Sequence, residues 1–107
     1  MKKYNEDFTT ITTEVYDKIC LATAELGCKP IMINRASNHH EDDYLWVVFA
    51  QYVKPRLYGQ YCVWTANVSE RRSQADLFYG HYDLSFTTAL KVVADKTRDL
   101  NKEEEAI

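Results

Sequence analysis

Tyr44-Leu45-Trp46-Val47-Val48-Phe49-Ala50-Gln51-Tyr52-Val53 is the stretch on which the fold turns. Its β-branched and aromatic content predicts a strand. Alternation sends Leu45, Val47 and Phe49 to one face and Tyr44, Trp46, Val48, Ala50 and Tyr52 to the other. Both sets are apolar or aromatic. Ten of the fourteen Phe, Tyr and Trp residues fall between Tyr44 and Tyr82.

Downstream, Lys54-Pro55-Arg56 predicts a turn and residues 57–68 a second strand. A polar loop over 69–74 leads to a further strand over 75–82. The connections are short, so the strands are expected as antiparallel hairpins. Upstream, residues 31–34 form a short apolar run, followed by a polar segment over 35–43.

The strands are flanked by two helical patterns. Phe8, Ile11, Val15, Ile19, Ala22 and Leu26 recur at helical spacing. Asn5 or Asp7 is the expected cap, and Gly27 suits the left-handed position after the helix. Phe86, Ala89, Leu90, Val93, Thr97 and Leu100 make a second stripe, capped by Asp83 or Ser85. Residues 101–107 read as a frayed charged tail. The order predicts one α+β domain over 1–107. It is a two-layer fold, an antiparallel sheet of three or four strands with both helices on one face.

Composition narrows the function. The chain has 107 residues, a net charge of -3 and 46% apolar content. A single core is feasible at this size. The acidic balance disfavours a general nucleic-acid binder, which carries a basic face. Residues 4–13 are mostly polar, so no apolar leader segment follows Met1-Lys2-Lys3, and no run suits a membrane span. A soluble, cytoplasmic protein is expected. Cys20, Cys28 and Cys62 lack metal-ligand spacing and read as reduced thiols in or near the core. His39, His40, Glu41 and Asp42 offer metal-type atoms without a zinc-pair spacing. No metal and no cofactor is expected, and no catalytic motif is present.

With both helices on one face, the other sheet face would stay uncovered and aromatic. Tyr and Trp dominate binding hot spots, so the expected activity is protein binding, to another protein or to a second copy of the chain. The expected contact residues are Trp46, Tyr61, Trp64, Tyr79 and His81, with Arg71, Arg72 and Asp42 on loops at one sheet end. The alternative is a ligand pocket or small enzyme site around Tyr61, Tyr79 and His81, and nucleic-acid binding comes third.

Phe78-Tyr79-Gly80-His81-Tyr82-Asp83, followed by a helix containing Ala89, resembles the last strand and helix of small accessory proteins of phages and mobile elements. Tyr61 and Trp64 upstream fit the same pattern. The resemblance covers the final third of the chain. It implies a protein that binds and blocks a host protein, as CRISPR inhibitors do, and it supplies no catalytic residues.

Overall fold

The structure is a computed structural model that describes residues 11–38 and 43–106. Its elements in chain order are α1 (Thr13–Glu25), β1 (Cys28–Asn38), β2 (Asp43–Tyr52), β3 (Tyr61–Ser69), β4 (Asp76–Leu84) and α2 (Phe86–Ala106). The strands form one antiparallel meander in the order β1-β2-β3-β4. This is the expected α+β domain, and residues 31–34 belong to the sheet as part of β1.

The helices do not share a face. Ile19 and Ala22 of α1 pack with Trp46, Val48 and Ala50 of β2 and Cys62, Trp64 and Ala66 of β3. Ala89 and Val93 of α2 pack with Val47 and Phe49 of β2 and Val63 of β3. One residue set of β2 therefore meets α1 and the alternate set meets α2. The domain has three layers, helix-sheet-helix, and the expected two-layer arrangement is corrected. The reason lies in β2 itself. A strand apolar on both faces loses hydrophobic stabilisation unless both are covered.

Each helix is tied at its ends. Thr12 caps α1, its hydroxyl accepting from the Val15 N–H at 3.2 Å, and the expected caps Asn5 and Asp7 lie outside the described residues. Thr12 is extended, so the helix begins there and Ile11 precedes it. Gly27 adopts φ 77°, and the Leu26 and Gly27 N–H groups bond back to Thr23 and Ala24. The chain thus reverses into β1, and Leu26 is left exposed beyond the stripe. Ser85 caps α2 by accepting from Thr88 N–H at 3.2 Å. The α2 backbone is helical through Ala106, in keeping with the good helix propensity of Lys and Glu.

A buried lysine fixes α1 to the far end of β3. Lys18 Nζ donates to the Ser69 carbonyl at 2.8 Å and pairs with Glu14 at 3.3 Å. The Ala75 N–H bonds Lys18 O at 3.1 Å, and Gln74 reaches Glu25 at 3.3 Å. The helix and the β3–β4 turn therefore lock together across about fifty residues of sequence. No helix among the described residues is long and apolar enough to cross a membrane.

Candidate partner-binding edge

The closed faces move the search to the rims of the sheet. Trp46 and Trp64 are only 4% and 1% exposed. They are core residues, and their expected role as open-face anchors is corrected. Trp46 meets α1, and the Trp64 indole N–H donates to the Tyr82 hydroxyl at 3.0 Å. Gly80 lies so close to the Trp64 indole that a Cβ there would collide with it. Tyr61 is half-buried, its ring 5.4 Å from both Phe49 and Phe86. It is turned into an aromatic cluster under the start of α2.

The other expected residues are scattered. Tyr79 is 76% exposed on β4. His81 is also exposed and stands opposite Val63 of β3. Arg71 and Arg72 lie exposed in the β3–β4 turn, where Arg72 pairs with Asp76 at 3.2 Å. Such an exposed pair contributes at most about 1 kcal/mol. Asp42, with His39, His40 and Glu41, lies outside the described residues. The structure thus leaves Tyr79 and His81 together on one edge strand. It does not join them to Trp46, Trp64 or the two arginines.

The β4 edge is irregular for a specific reason. Between the Val63–His81 and Tyr61–Leu84 pairs, two steps along β3 match three along β4. The same mismatch separates Thr65–Phe78 from Val63–His81. Each extra residue is a bulge, and Tyr79 and Asp83 occupy the left-handed region at φ 54° and 57°. Asp tolerates that region, but a Tyr there is uncommon.

The segment 53–60, between β2 and β3, is the part that sequence reasoning missed. Residues 57–60 were expected in a strand, but β3 starts only at Tyr61. The intervening loop is held by two side chains, Gln60 and Arg56. Gln60 Oε1 accepts from the Arg56 N–H at 3.0 Å, while its Nε2 donates to Arg56 O at 2.6 Å and Tyr58 O at 3.1 Å. Arg56 lies over the Tyr52 ring at 4.1 Å and donates to Asp83 at 2.9 Å. Gly59 fits against the Asp83–Leu84 backbone, where any Cβ would overlap.

This hydrogen-bonded loop presents Leu57 and Tyr58 to solvent at 88% and 77% exposure. They are the most exposed large apolar side chains among the described residues. Because the loop rests on Asp83, these side chains and the β4 edge form one rim. Pro55 and Gly59, four apart, were the available sequence signal for a long loop. The apolar pair between them masked it.

Chemistry at this rim is limited. Cys28 and Cys62 lie inside, sulfur to sulfur at 3.4 Å. Burial pushes the Cys62 thiol far above its ordinary 9.0, with the Cys28 hydrogen bond acting in the same direction. Burial also raises Cys28. Both thiols therefore stay protonated near neutrality and are poor nucleophiles. No protein-family model, curated protein or solved structure matches this chain.

Proposed function

We propose that this chain is a protein-binding module whose anchors are Leu57 and Tyr58 on the pinned loop, supported by the β4 edge. One observation carries the reading: a loop held by the Gln60 and Arg56 side-chain hydrogen bonds exposes Leu57 and Tyr58, the two most exposed large apolar side chains among the described residues. A preordered loop loses little conformational entropy on binding. Leucine and tyrosine at such a tip have no evident benefit for folding, because they pack on little. Tyrosine adds a rigid ring with a polar end, a frequent hot-spot property. A blocking role of the kind implied by the resemblance of residues 78–89 would use the same rim.

The test is affinity capture with the intact chain and with Leu57→Ser/Tyr58→Ser, followed by a binding titration on each captured protein. Truncating true anchors costs about 2 kcal/mol or more, roughly thirtyfold in affinity. The double variant is expected to keep its thermal midpoint and lose the partner. Trp64→Ala serves as the contrast, since emptying a core site of that size costs about 3–5 kcal/mol of stability. Undiminished partner affinity in the folded loop variant would sink the assignment.

A further inference from the structure

Lys96 sits where α2 crosses β3 and β4. Its Nζ donates to Thr65 Oγ1 at 3.3 Å and stands 5.8 Å from the centre of the Tyr79 ring. The side chain is partly buried, and desolvation pulls its ammonium below the ordinary 10.5. Among the described residues, no carboxylate lies within ion-pair distance of it. Asp95, next to it in sequence, is engaged by Arg98 at 2.9 Å. Lys96 is thus a half-desolvated cation held by one hydroxyl and one ring face.

The ring face belongs to the residue with the most unusual backbone on the edge. Tyr79 is held at φ 54° with Phe78 edge-on to it at 5.0 Å. A left-handed backbone is unfavourable for a residue that carries a Cβ. Local strain of this kind concentrates at ligand-holding positions. Here it places an exposed tyrosine beside an ammonium that has no ion-pair partner among the described residues.

We propose that Lys96, its ammonium positioned by the buried Thr65 hydroxyl, and Tyr79 form a recognition site for a glutamate side chain on an acidic segment of the partner protein. The inference rests on the protein-binding reading and specifies the chemistry of the partner. A carboxylate supplies the counter-charge that no described residue gives Lys96, and a partly desolvated pair is screened less than an exposed one. The methylenes of glutamate lie against the Tyr79 ring, which adds apolar contact. The chain carries a net charge of -3, so general attraction of anions is weak. Recognition must come from this local geometry.

The experiment is a titration of the isotopically labelled full chain with acetyl-tetraglutamate amide, followed by amide NMR shifts. Acetyl-tetraglutamine amide and sodium acetate are run alongside. Saturable shifts centred on Thr65, Tyr79 and Lys96 are expected with tetraglutamate only. Lys96→Gln should lower the affinity at least tenfold while keeping the folded spectrum. Tyr79→Ala guards against a folding defect in that variant and should also weaken binding. Leu57→Ser/Tyr58→Ser should bind tetraglutamate as the unaltered chain does, which separates this site from the loop. The proposal is overturned by absent shifts, by equal shifts with tetraglutamine or acetate, or by binding that survives Lys96→Gln. Shifts centred on Arg71 and Arg72 would overturn it equally.

Discussion

Tyr79 combines an exposed ring with a left-handed backbone, and the two properties separate by substitution. Tyr79→Gly and Tyr79→Ala remove the same ring contacts. Glycine adopts positive φ freely, whereas alanine keeps the Cβ penalty. Tyr79→Gly should therefore be more stable than Tyr79→Ala by about 1 kcal/mol, read from urea midpoints. Equal stabilities would mean that the bulge relaxes when the ring is gone. The two buried thiols give a second expectation, in pH. Their folded values lie above the unfolded 9.0, so the folded chain holds protons that the unfolded chain releases. Their stabilisation is complete below pH 9 and is lost as pH rises above it. Lys96, whose folded value is lowered, acts in the opposite sense over the alkaline range and offsets part of the fall. Denaturation of the chain against Cys28→Ala/Cys62→Ala from pH 7 to 10 should show the flatter alkaline profile in the variant.

At the scale of elements, α1 depends on its lock to the β3–β4 turn. Lys18→Met removes the donor to the Ser69 carbonyl. A loss of about 1–3 kcal/mol is expected, whereas Glu14→Gln, at the exposed end of the pair, should cost under about 1 kcal/mol. Comparable losses for both would show that the ion pair, not the buried hydrogen bond, holds the helix. The elements also show what the sequence makes legible. Both helices and the meander follow from periodicity, because Ile19, Ala22, Ala89 and Val93 repeat at helical spacing. Trp46, Val48 and Ala50 alternate with Val47 and Phe49 equally plainly. That double apolar pattern was itself the sign of cover on both sides, and reading it as an open face displaced the candidate site. The bulges at Tyr79 and Asp83 were hidden, because neither position carries the glycine that normally signals positive φ. The pinned loop was hidden for another reason. Its order comes from Gln60 and from contact with β4, a tertiary effect that local propensity does not carry.

At the scale of the whole molecule, the opposed helices remove the sheet face as a self-association surface. Both free edges carry irregular register, in β1 near Pro30 and Arg35 and in β4 at the two bulges. Such irregularities discourage strand-to-strand pairing between copies. The 12.5 kDa chain is therefore expected to be monomeric. Light scattering coupled to size-exclusion chromatography at two widely spaced concentrations checks this. A concentration-independent dimer would point to the Leu57–Tyr58 loop as a self-contact, and Leu57→Ser/Tyr58→Ser should then dissociate it.

The Gln60 clasp has one more consequence, for how such a chain can change over generations. The hydrogen bonds that shape the loop come from the Gln60 side chain and the backbone of residues 56 and 58, so the identities of residues 57 and 58 are nearly free. The central strands have no such liberty, since nearly every side chain from Trp46 to Ala50 and from Cys62 to Ala66 is enclosed. Substitution at these two adjacent positions can therefore vary the exposed surface while the enclosed scaffold is left intact. A randomised library at Leu57 and Tyr58 should yield mostly folded members, and one at Trp46 and Trp64 mostly unfolded ones.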